Sequence, residues 1–172
     1  MTWMRDKNLN LNKREVMNYT LEQFKKDVIQ WSTDRLIIQN GTVRGQLRKI
    51  REEVNETIDG LIKLNGDEVK DGIGDCAVVL INLDALQGSN TNFHTRIPST
   101  TRSAHELINS VRFYAENTVE DYSHAWDCLL AFSNVCGVDI NFIDCCELAW
   151  NEIKDRKGYF CDKTETFIKE AE

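Results

Sequence analysis

Proline is nearly missing from this chain: one residue, Pro98, in 172. Helix interiors are therefore left almost free of the residue that most reliably breaks them. There is no CxxC pair among the six cysteines (Cys76, Cys128, Cys136, Cys145, Cys146 and Cys161), and the three histidines are His94, His105 and His124. Closely spaced soft ligands are thus lacking, which argues against structural zinc, and the cysteines read as small buried hydrophobes in a reducing compartment. No eighteen consecutive apolar residues occur, and MTWMRDKNLNLNKREV at the N-terminus has no signal-peptide core. A soluble, cytoplasmic protein with no membrane partner is expected. Basic excess is absent too, since 21 Lys and Arg face 28 Asp and Glu for a formal charge of −7. That balance speaks against binding a nucleic-acid polymer, whose partners carry a basic stripe. It leaves a small anionic ligand open, because a divalent metal inverts the local field.

What is present is helical patterning in a chain long enough for one domain, 1–172, with a real core. After a polar lead-in over 1–18, Leu21, Phe24, Val28 and Trp31 recur at helical spacing behind Thr20, a fitting N-cap, and Asn40-Gly41 ends the pattern. Val43, Leu47, Ile50, Val54, Ile58 and Leu61 mark a second helix. A third runs from about Glu68 to Gln87 and is apolar over much of its circumference near Val78–Leu83, as suits the inside of a bundle. Residues 88–102 carry the chemistry of a long loop. A long helical pattern follows over 103–136, with a break expected near 116–121. Asp139 can cap a fifth helix ending before Gly158, and the tail reads as a turn plus a short extended or helical end. The expected architecture is an all-α helical bundle.

Eight of the 28 acids fall between Arg51 and Asp75. Glu53 and Glu56, three apart, share a face of the second helix beside its apolar stripe; Asp71 and Asp75, four apart, share a face of the third, with Asn82 two turns on. A tight turn joins the two helices, so antiparallel packing brings these faces together. Facing acid pairs of this kind suit a hard divalent cation held by oxygens inside a bundle. A solvated acidic face would give the same spacing, with Lys49 and Glu53 a plain i, i+4 pair. Asp75 nonetheless opens the most apolar segment of the chain, and Gly72 and Gly74 beside it thin the helix surface. DEVKDGIGD lacks the alternating acids and closing Glu of a calcium hand, and no Lys-Ser/Thr follows as a phosphate loop requires. A cysteine nucleophile with His105 or His124 has nothing linking its members.

QLRKIREEVNE (Gln46 to Glu56) resembles the helix of MazG-like nucleoside triphosphate pyrophosphohydrolases, which reads Q-x-x-K-x-x-E-E-x-x-E. DGIGDCAVVLIN (Asp71 to Asn82) looks like their second motif, placing Asp75 and Asn82 on the family's Asp and Asn. It departs at Gly72, where the family has Glu, and Asp71 is the expected substitute. WNEIKDRKG and FIKE near the C-terminus look like the family's basic segment, while 88–137 reads as an insertion or extended helical pair. The resemblance implies a homodimer or homotetramer of the all-α NTP pyrophosphatase type that hydrolyses (deoxy)nucleoside triphosphates to monophosphate and pyrophosphate with Mg²⁺ or Mn²⁺. It implies metal ligands Glu53, Glu56, Asp71 and Asp75, and a general base at Glu53 or Glu52. It implies substrate contacts from Trp31, Arg35, Gln46, Lys49, Asn82, Asn151, Lys154, Arg156 and Lys157. A nucleotide-sensing module without turnover, a hydrolase of an alarmone or modified nucleotide, and a structural helical protein are the competing readings.

Overall fold

Thr20 opens the first helix as expected: its hydroxyl accepts the Gln23 N–H at 3.1 Å, satisfying one of the donors that a helix start leaves unpaired. The computed structural model describes residues 18–139 and 141–170; the polar lead-in lies outside the described residues except for Asn18. Helix α1 (Leu21–Asp34) stops earlier than the apolar spacing suggests. Leu36 adopts a left-handed backbone (φ 61°), and a single turn, α2 (Ile37–Asn40), precedes the Asn40-Gly41 break. No proline or glycine announces the earlier stop.

Helix α3 (Val43–Ile62) begins at the Thr42 cap, whose hydroxyl accepts the Gly45 N–H. Helix α4 (Gly66–Gln87) starts two residues before the expected position, because Asn65 Oδ1 takes the N–H groups of Asp67 and Glu68. The predicted break in the fourth pattern is real and separates α5 (Ala104–Glu116) from α6 (Ser123–Val135). Helix α7 (Phe142–Ile153) is capped by Asn141 rather than by Asp139. The tail forms an antiparallel hairpin, β1 (Gly158–Cys161) against β2 (Thr166–Lys169), with Gly158 opposite Lys169 and Cys161 opposite Thr166.

The bundle is built around α4, which packs against α1, α2, α3, α6 and α7. That explains its nearly continuous apolar surface from Cys76 to Leu83, where only Asn82 is polar. Phe24, Ile50, Tyr122, Trp126, Leu129 and Phe132 are fully buried around it, each large apolar side chain contributing about 1.5–3 kcal/mol. Two glycines of α4 set its distance from its neighbours. A Cβ at Gly72 would stand 2.0 Å from Thr57 Oγ1 on α3, and one at Gly74 would stand 2.5 Å from both the Cys145 carbonyl oxygen and Ala149 Cβ on α7. Among the described residues, no helix is long and apolar enough to cross a membrane.

Candidate functional site

Glu53 and Asp75 stand on the facing sides of α3 and α4, and both line one cavity of about 290 Å³, at the small end of ligand pockets. Gln46, Lys49 and Glu53 come from α3 at steps of three and four, and Asp75, Val78, Val79 and Asn82 from α4. Trp31 and Ile37 form another wall, Ile153 and Arg156 another, and Thr166 to Lys169 of the hairpin complete the lining. Seven of the residues expected to act together (Trp31, Gln46, Lys49, Glu53, Asp75, Asn82 and Arg156) therefore meet on this cavity.

Its charged end is an electrostatic conflict. Glu53 is 8 % exposed yet ionic in character, with Lys49 Nζ 3.2 Å from its carboxylate. Burial raises its pKa despite that lysine, and Glu56 and Glu52 add to the rise. Burial works against the charge of Lys49, but Glu53 and Glu52 outweigh it and its pKa stays above normal. Asp75 is pushed up to about 8, first by burial and then by the negative charges of Glu53, Asp71 and Glu152, with Arg156 pulling the other way. Asp71 rises to about 6, first through burial and then through the neighbouring Glu152 carboxyl, which favours its protonated form. Such crowding is unfavourable for bare carboxylates and is relieved by protons or by a cation.

Glu152 of α7 was not singled out by the sequence. It sits four residues before Arg156, to which it is hydrogen-bonded, and that i, i+4 pairing was the available signal. It reaches the acids of α4 because Gly74 lets α7 lie close. Ser32 was missed as well: wholly buried on α1, it donates to Asn82 Oδ1 at 2.7 Å.

Several expected site residues stand elsewhere. Glu56 is exposed and borders a separate small cavity with Asp59, Lys63, Glu68, Asp71 and Gly72. Glu52 is exposed and paired with Lys49 at 2.6 Å. Asn151, Lys154 and Lys157 are exposed outside the cavity wall, with Lys154 Nζ donating to Asn151 Oδ1. Arg35 lies behind the cavity, over the Trp31 ring at 4.6 Å, and its guanidinium donates to the Lys154 and Arg156 carbonyls. It serves the end of α7, whose last carbonyls need donors. Trp31 does likewise: Nε1 donates to the Ile153 carbonyl at 2.8 Å, and the ring meets Phe167 edge-on. Trp31 is both core and cavity wall.

The departure at Gly72 has a steric cause, since Thr57 occupies the space any side chain there would need. Among the described residues, no three or more Asp, Glu, His or Cys side chains are placed to hold a metal ion as they stand. The donor set suits a hard cation in its chemistry, being carboxylate oxygens in mutual repulsion. No cysteine or histidine lines the cavity, so a thiol–imidazole nucleophile gains no support there.

No family model matches this chain, and no solved structure matches it. Over 63 residues it is 40% identical to an uncharacterized 18.2 kDa protein from the rep-hol intergenic region of Haemophilus phage HP1 (strain HP1c1). The matched stretch is 37% of this chain and spans 39% of that protein.

Proposed function

We propose that this protein is a metal-dependent hydrolase of nucleoside triphosphates, releasing the monophosphate and pyrophosphate. The observation that carries the reading is the polarity of one cavity: uncharged at Asn82 and Gln46, acidic at Glu53 and Asp75, with Lys49 and Arg156 at the acidic end. Asp75 and Asn82 are seven residues apart, so about 10 Å separates them along α4. A nucleoside fits the uncharged end and a polyphosphate the charged one. Mg²⁺ or Mn²⁺, when bound, supplies charge neutralisation and orientation at the phosphates.

The residues that would hold the ion are Glu53, Asp75 and Asp71, with Glu56 and Glu152 next to them. Glu53 would have to leave Lys49, and Asp71 would have to leave Glu152. Lys49, released from Glu53, and Arg156 are then free to face phosphate oxygens. Between the two candidate bases, Glu53 is favoured over Glu52. It is buried with a raised pKa, whereas Glu52 is exposed, and a base works best when its pKa approaches the working pH. Trp31 and Phe167 supply apolar wall beside the nucleoside end. A homodimer or homotetramer and a cytoplasmic setting belong to the same reading.

Incubation of the full chain with Mg²⁺ or Mn²⁺ and a panel of (deoxy)nucleoside triphosphates tests it, with pyrophosphate as the readout. Release that depends on the metal is expected. No release from any nucleotide with either metal overturns the enzymatic reading. Gly72 favours a second reading, a nucleotide-sensing module, because it removes a carboxylate from the motif. Tight nucleotide binding by calorimetry without product would select it.

A further inference from the structure

The uncharged end of the cavity contains two carboxamides, and they are not equivalent. Asn82 is 3 % exposed and Gln46 4 %. The Oδ1 of Asn82 is occupied by the Ser32 hydroxyl at 2.7 Å, between two side chains sealed in the α1–α4 contact. Its Nδ2 donors have no protein partner among the described residues, and Asn82 lines the cavity. Gln46 lines the same cavity, and its side chain makes no hydrogen bond among the described residues. It is therefore free to turn either its oxygen or its nitrogen toward a ligand. One amide is fixed and the other adapts.

We propose that this cavity selects nucleobases carrying a keto oxygen at purine C6 or pyrimidine C4 over those carrying an amino group at that position, and that Ser32 sets the choice by holding Asn82 with its donors inward. This rests on the nucleotide reading given above and names the substrate class within it. A keto oxygen opposite Asn82 Nδ2 completes a buried hydrogen bond. An amino group there sets donor against donor, and a buried polar group left unpaired is the strongest source of discrimination between close analogues. Gln46 satisfies either edge and so adds binding without adding choice. The base lies at this end because the carboxylates Glu53 and Asp75 stand two turns from Gln46 and Asn82 along α3 and α4. Lys49 Nζ is turned toward Glu53 and Arg156 acts on Asp75, while Lys169 of the hairpin is a further cation on the wall. Ser32 touches no ligand in this scheme; it is a positioning residue acting through Asn82.

The test uses the full chain with Mg²⁺ and matched pairs, dGTP against dATP and dUTP against dCTP, read as kcat/KM for pyrophosphate release and as the nucleotide-induced rise in Tm. The unaltered protein is expected to favour the keto member of each pair by about tenfold or more. Ser32→Ala frees the amide to rotate and should bring each ratio within about threefold. Asn82→Asp replaces donors by acceptors and should reverse the preference. A merely structural Ser32 would lower all four nucleotides alike, and that result overturns the proposal, as does a flat or amino-favouring profile in the unaltered protein. In those cases pyrophosphate release still stands. The absence of both pyrophosphate release and any nucleotide-induced rise in Tm overturns the underlying reading and this inference together. If Ser32→Ala fails to fold, the Asn82→Asp reversal decides.

Discussion

The α3–α4 and α5–α6 pairs are both helical hairpins, and they bury polar groups in opposite ways. On α5 and α6 the buried hydroxyls turn inward to their own backbone: Ser110 donates to the Glu106 carbonyl at 2.8 Å and Ser133 to the Leu130 carbonyl at 2.7 Å. Such local bonds satisfy both hydroxyl donors, and Ser110 Oγ also accepts from Arg102. On α3 and α4 only Thr57 behaves that way, donating to the Glu53 carbonyl. Glu53, Gln46, Asn82 and Asp75 instead face a shared cavity. What marks a site, then, is buried polarity that local backbone does not satisfy; buried polarity alone marks nothing.

Substitutions on the two pairs should therefore fail differently. Asp75→Ala is expected to lower metal-dependent pyrophosphate release by about three orders of magnitude while leaving Tm equal or higher, since it relieves the acid crowd. Residual activity within tenfold of the original would dissolve the contrast. Leu129→Ala, in the fully buried core of α6, should cost about 2–5 kcal/mol in denaturant unfolding and leave kcat per folded molecule unchanged, because α6 contributes nothing to the cavity wall.

The acid end should also give stability an unusual pH slope. Asp75 ordinarily titrates near 3.8 and is held up to about 8 here. Between those values the folded chain keeps a proton that the unfolded chain gives up, so stability falls as pH rises from about 4 to about 8 and levels off above. Asp75→Asn should flatten that fall in metal-free melts across this range. A slope unaltered by Asp75→Asn would place the effect elsewhere.

Smaller effects sharpen the comparison further. Gly72→Ala drives a Cβ into Thr57 and should cost about 1–3 kcal/mol, and adding Thr57→Ala should return part of it. Unchanged stability in the single variant would show that the two helices separate easily. Ser133→Ala should change unfolding by no more than about 0.5 kcal/mol, because both the donor and its neighbouring carbonyl sit in a helix turn that already pairs its backbone.

Much of this was legible in the residues. Apolar steps of three and four located α3 and α4, Thr20 marked a true cap, and the loop after Gln87 followed from its turn chemistry. The acid faces of Glu53 and Asp75 were placed by helical angle alone. The early end of α1 was not, because no residue before Leu36 carries a stop signal and the left-handed turn is fixed by tertiary contacts of Trp31 and Arg35 with the end of α7. Glu152 escaped for the same reason. Its role depends on how near α7 lies to α4, a distance across more than seventy residues of sequence that no periodicity reports. The hairpin was read as a turn with an undecided end, since Thr166–Lys169 gains its strand character from pairing with β1.

Gly74 sets the gauge of the whole cavity. With only hydrogen at that position, α7 settles against α4, and everything attached beyond Ile153 is drawn in with it: Arg156 to the acids, Phe167 to Trp31, the hairpin to the rim. A methyl group there would act as a wedge, levering a complete wall outward, so a substitution that never touches a ligand would be felt first as a wider, looser pocket.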